Sequence, residues 1–147
     1  MHRIAIHGGA GALRRDLMTP EMEKLFTETL LQSLTIGNHV LAAGGSSVEA
    51  VEKAIIVMED SPIFNAGRGS NFTNQGRIEM DASIMDGSDL RTGAVACVSE
   101  VKNPISLSRL IMDDGRQVLL AGEGARSFAV KEGLELRDFD YFFTHHR

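Results

Sequence analysis

Ser61-Pro-Ile-Phe-Asn-Ala-Gly-Arg-Gly-Ser-Asn-Phe72, followed shortly by Arg77-Ile-Glu-Met-Asp-Ala-Ser-Ile-Met-Asp-Gly87, decides the class of this chain. Upstream, Ser46-Ser-Val-Glu49 has the form of a capping box, and Val48, Val51, Ile55 and Met58 recur with the spacing of one helix face. Downstream, Ile78, Met80, Ala82 and Ile84 alternate with Glu79, Asp81 and Ser83, the period of a half-buried strand. Pro62 ends the helix, and the glycines and asparagines between the two periods form a loop able to hold backbone groups in unusual conformations. Rigid elements on both sides make that loop the natural place for chemistry.

Working outward, the chain predicts strand, two helices, two strands, helix, strand, helix. Arg3-Ile-Ala-Ile-His7 is a short strand-like run that stops at Gly8-Gly9-Ala10-Gly11-Ala12, where glycines allow close approach of backbone to a ligand or to another part of the chain. A dinucleotide fingerprint is excluded there, because Arg14 stands where the third glycine belongs and no helix pattern begins. Thr19-Pro20-Glu21 starts a helix whose stripe is Met22, Leu25, Phe26, Leu30, Leu34, Gly37, Val40 and Leu41, ended by Gly44-Gly45. The two helices should pack side by side. Asp86-Gly87-Ser88-Asp89 makes a hairpin turn into Gly93-Ala-Val-Ala-Cys-Val98, an apolar run without alternation that predicts a strand covered on both sides, antiparallel to its neighbour. Asn103-Pro104 caps a helix carrying Leu107, Leu110 and Ile111. Gln117-Val-Leu-Leu-Ala121 is the next strand, and Gly122-Glu-Gly-Ala125 opens a last helix closed by Gly133. The order predicts an α+β fold, an antiparallel or mixed sheet with helices packed on it. The tail from Asp138 to Arg147 fits neither period; aromatic packing explains it better than a metal pair at His145 and His146.

At 147 residues and 43% hydrophobic the chain is sized for one core. A net charge of -5 without a basic stripe excludes an electrostatic footprint for nucleic acid or anionic lipid. Cys97 is the only cysteine, so no internal disulfide forms, and its apolar setting predicts a buried, inert thiol. The amino terminus has no apolar region of signal-peptide length and no stretch of about 18 apolar residues occurs, so a soluble, cytoplasmic protein is expected.

Few constellations carry chemistry. Glu79, Asp81, Asp86 and Asp89 are hard-oxygen ligands, but their spacing is not that of a calcium loop, and acids beside a turn more often pair with backbone amides. His7, closing the first run, reads as a hydrogen-bonded structural residue. No serine elbow or cysteine-histidine pair stands out. A binding-type loop is present; a nucleophile with its base is not.

Ile6-His-Gly-Gly-Ala-Gly-Ala12, Asp60 through Asn71, Glu79 through Gly87, Gly93-Ala-Val-Ala96, Asn103-Pro104 and Gly122-Glu-Gly-Ala125, in this order over nearly the whole chain, resemble the plant-type L-asparaginase/isoaspartyl peptidase family. The resemblance implies the N-terminal nucleophile (Ntn) hydrolase fold, an αββα sandwich. It also implies a precursor that cleaves itself before a threonine, giving an α and a β subunit. Residues 1–147 resemble the α subunit of one domain, completed by a β subunit in an (αβ)2 assembly. The nucleophile is then absent from this chain, as the free amine of the new amino-terminal threonine acts as base to its own hydroxyl. Thr92 echoes the family's nucleophile sequence but is internal, without a free amine.

Residue by residue, the resemblance makes Asn65 a pocket-lining group that helps hold the nucleophile; a turn-stabilising role is the competing explanation. Gly8, Gly9 and Gly11 correspond to a flexible loop near the site, implicated in maturation, or else simply end a strand. The backbone carbonyls of Met58, Glu59, Ser61, Phe64, Ala66 and Arg68 correspond to a loop that holds a structural sodium ion, and no organic cofactor is implied. The expected activity is hydrolysis of L-asparagine and β-aspartyl (isoaspartyl) peptides. Glycosylasparaginase, a threonine aspartase acting on proteins, and an inactive scaffolding or ligand-binding member are the alternatives.

Overall fold

Helix formation begins at two side-chain caps. Thr19 lies in extended backbone and its Oγ1 accepts from the Met22 N–H at 3.2 Å, opening α1 (Pro20–Ala42). Ser46 accepts from the Glu49 N–H at 3.1 Å and opens α2 (Ser47–Glu59). Each cap satisfies a donor that helix geometry leaves free. These elements come from a computed structural model that describes residues 1–11 and 15–144. Ala12 and Arg14 of the glycine stretch, and the His145–His146 pair, lie outside the described residues.

The two helices pack side by side, through only part of the apolar stripe. In α1 the buried residues are Thr29, Ser33 and Gly37, while Phe26, Leu30 and Leu34 are half-buried and Leu25 is exposed. Small side chains bring the backbones together. Ser33 Oγ donates to the Ala54 carbonyl at 2.7 Å, and a Cβ on Gly37 would stand 2.5 Å from Ile4 Cδ1 and 3.0 Å from the Ala50 carbonyl oxygen. Helical periodicity marks a face correctly; it does not reveal which part of that face meets another helix.

β1 (Met80–Met85), β2 (Thr92–Val98) and β3 (Leu119–Ala121) form a sheet in the order β1-β2-β3, antiparallel then parallel. The mixed helix and sheet architecture is α+β as expected. α3 (Pro104–Asp114) connects β2 to β3, and α4 (Gly122–Lys131) and the one-turn α5 (Phe139–Phe142) follow. α3 lies directly on the sheet: a Cβ on Gly93 would fall 2.1 Å from the Ser108 carbonyl oxygen and 2.5 Å from the Met112 nitrogen. Ile78, Met80, Val95 and Val98 from the sheet side meet Leu107, Ile111, Ala125, Ala129 and Phe142 from the helices in the main core. A second cluster, Val48, Ile84, Ile105 and Met112, ties α2 to α3 and β1.

All of these helical partners share one face of the sheet. The register pairs Ser83 with Ala94, Met85 with Thr92, Ala94 with Leu119, and Ala96 with Ala121 on the other. That face is exposed or half-exposed, Met85 at 54% and Leu119 at 55%. Among the described residues β2 is therefore covered on one side only, where its unbroken apolar run predicts two; alanines at 94 and 96 are compatible with either surface.

Three further expectations change. Arg3–His7 has the sequence of a strand but no ladder partner among the described residues. Strand structure requires a neighbour as well as a propensity. Cys97 is exposed, not buried: the register slips between Met80 and Ala82, Cys97 takes φ 52°, and its N–H donates to Asp81 Oδ1 at 2.8 Å. Such a bulge re-aims a side chain out of the alternation. Asn103 occupies the N-cap position of α3 without capping it; its Nδ2 donates to Asp60 Oδ1 at 3.1 Å. The tail packs through aromatic rings as expected, with Phe142 buried and Phe72, Phe139 and Phe143 about 6 Å apart, centroid to centroid.

Candidate active site

The loop after α2 is held by Met58, Ile63 and Phe64, which form a small core with Phe26, Leu30 and Ile55. Phe26 meets the Phe64 ring edge-on, centroids 5.6 Å apart. Within the loop the chain makes one tight turn over Gly67–Gly69. A Cβ on Gly67, where φ is +52°, would lie 2.3 Å from the Glu59 carbonyl oxygen, and one on Gly69 would lie 2.2 Å from that of Phe64. Only glycine lets the turn sit against those carbonyls.

This turn brings the two predicted segments together. A cavity of about 460 Å3 is lined by Gly8, Gly9 and Gly11 from the amino-terminal segment and by Asn65 and Asn71 from the loop, with Phe26, Ile55 and Phe64 as walls. The glycines differ in what they do. A Cβ at Gly8 would press on Leu30 and Phe64 at 3.0 and 3.1 Å, Gly9 has φ +108°, and Gly11 has open space around it. Asn65 Oδ1 accepts from the Asn71 N–H at 2.8 Å, and the Gly9 N–H donates to His7 Nδ1 at 3.1 Å. Turn stabilisation by Asn65 and pocket lining by Asn65 thus coexist. Among the described residues the cavity wall holds no hydroxyl, thiol or carboxylate side chain.

Glu59, at the end of α2, escaped the sequence reading as a side chain. It is 3% exposed, its Oε1 accepts from the Ile105 N–H at 3.0 Å, and its Oε2 has no partner. It does for α3 the capping that Asn103 does not. Burial pushes its carboxyl up from 4.5 to about 8, against the lowering effect of the bonds from Ile105 and Asn103 and with the help of nearby Asp60 and Glu52. One sequence signal was available: an acid in the last turn of a helix opposes the dipole and calls for another purpose. Next to it, Asp60 Oδ1 also accepts from Tyr141 OH at 3.4 Å, and burial raises the Tyr141 hydroxyl above its usual range. His7 is hydrogen-bonded as its sequence reading expects, whereas the bond from the Asn71 N–H to Asn65 had no such signal, since it spans an aperiodic loop.

Of the four acids around β1, Asp81 accepts across the strands from the Cys97 N–H, and the two in the turn are occupied by local bonds. Asp86 accepts from the Ser88 N–H and Asp89 from the Arg91 N–H and guanidinium, which lower both carboxyls. No group of three or more His, Cys, Asp or Glu suited to a metal occurs among the described residues. Thr92 Oγ1 donates to the Ile84 carbonyl at 2.9 Å, inside the sheet and away from the cavity lining. No described helix is long and apolar enough to cross a membrane.

A family model described as asparaginase matches residues 1–147. An isoaspartyl peptidase of Salmonella typhimurium is 43% identical over 141 residues, which are 96% of this chain and 45% of that protein. An isoaspartyl peptidase/L-asparaginase of Xenopus laevis is 44% identical over 131 residues, 89% of this chain and 41% of its own. A plant-type L-asparaginase of Pyrococcus horikoshii is 46% identical over 129 residues, 88% and 41% respectively. The chain spans less than half the length of these relatives.

Proposed function

The chain belongs to the asparaginase family, and on that premise we propose that it is the α-subunit part of an Ntn-type amidohydrolase acting on L-asparagine and β-aspartyl peptides. The observation that carries this reading is the cavity itself. It joins the glycine turn to Asn65 with no nucleophile on its described wall, which supports a reacting group supplied from elsewhere. The open sheet face around Ser83, Ala94 and Leu119 favours the same conclusion, because a face of small and apolar residues is suited to a second sheet about 10 Å away. Relatives more than twice as long supply the chain for it.

In this scheme a precursor cleaves itself and exposes a threonine at the start of the β subunit. The threonine hydroxyl attacks the side-chain amide carbon while the α-amine of the same residue takes the hydroxyl proton. The C–N bond breaks, and the proton passes to the departing ammonia or amine. Water then attacks the acyl ester, releasing the acid and restoring the hydroxyl. This chain's part is positional. Gly8 lets the amino-terminal segment close over Leu30 and Phe64, and the Asn71 amide orients Asn65 at the cavity wall.

Carbonyls of Met58, Glu59, Ser61, Phe64, Ala66 and Arg68 would supply an all-oxygen set of the kind sodium takes. Gly67 and Gly69 support this reading, since a side chain at either would displace the Glu59 or Phe64 carbonyl. Bound there, sodium would hold the loop's shape. Association of two αβ units completes the proposal.

Full-length protein incubated with L-asparagine and with a β-aspartyl dipeptide should release aspartate, and its companion chain should begin with threonine. No release from either substrate removes the reading; a companion chain beginning otherwise favours an inactive scaffold.

A further inference from the structure

His7 and Asn65 reach the cavity from different segments but share one electronic feature. The Gly9 N–H donates to His7 Nδ1, so in the neutral ring the proton resides on Nε2. The Asn71 N–H donates to Asn65 Oδ1. A backbone amide is only a donor, so this contact sets the flip of the carboxamide and leaves its NH2 as the free end. His7 has thus given its one acceptor to a main-chain amide and Asn65 one of the two lone pairs of Oδ1, and each retains N–H groups, which have no partner among the described residues. Phe26, Ile55 and Phe64 line the same cavity, while His7 and Asn65 are themselves exposed, so their N–H groups are open to an incoming oxygen.

We propose that His7 and Asn65 are a donor pair that binds a carbonyl or carboxylate oxygen in this cavity. The proposal deepens the amidohydrolase reading by assigning the polarity of its site: these side chains present N–H to oxygen and do not accept a proton from a reacting hydroxyl. Two sources supply such an oxygen, the substrate and the backbone carbonyl of the protein's own cleavage segment.

Aspartate substitutions separate the donor role from the structural one. Asn65→Asp keeps an oxygen for the Asn71 N–H, and His7→Asp keeps one for the Gly9 N–H through an Asx turn; both delete the N–H. The variants are made in full-length protein and followed by intact mass for cleavage, by kcat and KM for L-asparagine and a β-aspartyl dipeptide, and by calorimetric titration with L-aspartate. If the substrate supplies the oxygen, cleavage proceeds at the parental rate, while kcat/KM and aspartate affinity fall about tenfold or more in each variant. If the precursor supplies it, the variants remain uncleaved. His7→Asn, which restores both an acceptor and a donor, should recover what His7→Asp loses. Aspartate variants that match the parent in cleavage, turnover and aspartate affinity, while Asn65→Ala and His7→Ala fail, overturn the proposal and leave only loop bracing. A parent that binds aspartate but hydrolyses neither amide defeats the amidohydrolase reading alone, since aspartate affinity still decides the donor pair.

Discussion

Substituting Glu59 by glutamine probes the junction of α2, the cavity loop and α3. The carboxyl is 3% exposed, accepts from the Ile105 N–H, and is raised by burial from 4.5 to about 8. A group that binds its proton more tightly when folded contributes stability that is complete below the unfolded pKa and is lost as pH rises through the folded one. The window here runs from 4.5 to about 8. At about 1.4 kcal/mol per pH unit it corresponds to a ceiling of roughly 5 kcal/mol. Glutamine keeps an oxygen for Ile105, does not titrate, and should remove that dependence. Urea denaturation of full-length parent and Glu59→Gln at several pH values between 5 and 8 measures the difference. The parent should lose stability relative to the variant by several kcal/mol across the series. Parallel curves would refute the assignment of a buried, proton-binding carboxyl at this junction.

Other expectations are simpler to measure. Ser33→Ala removes a buried donor to the Ala54 carbonyl and should lower stability by about 1 kcal/mol in urea denaturation, whereas Ser33→Leu should cost more by forcing α1 from α2. Gly93→Ala places a methyl 2.1 Å from the Ser108 carbonyl oxygen, a backbone atom that cannot rotate aside, and should abolish soluble expression. Thr92→Val should leave kcat for L-asparagine within about twofold of the parent while lowering stability by about 1 kcal/mol, since its hydroxyl serves the Ile84 carbonyl. Leu90, 67% exposed with φ 64°, should tolerate glycine with a gain of up to about 1 kcal/mol in thermal unfolding.

Local signals located the elements well because their causes are local. Thr19 and Ser46 cap helices through bonds three residues away, Gly115 ends α3 with φ +71°, and the alternation of Met80, Ala82 and Ile84 survives in the burial of β1. The approach of Gly8 and Asn65 to one cavity followed only from the family resemblance, as nothing in either segment specifies a partner more than fifty residues away.

By itself the sequence determined where the helices α1 to α4 and the strands β1 to β3 lie, the α+β class, and the segments from which the candidate site is built, for these depend on caps, glycines and periods within a few residues. Tertiary structure alone decided that Ser33, outside the apolar stripe, joins α1 to α2 beside Gly37, and that Cys97 faces outward. It also decided that Glu59 caps a helix 46 residues downstream. Each of those outcomes depends on which surface approaches which, and burial, bulge geometry and desolvation act only after that approach has been made.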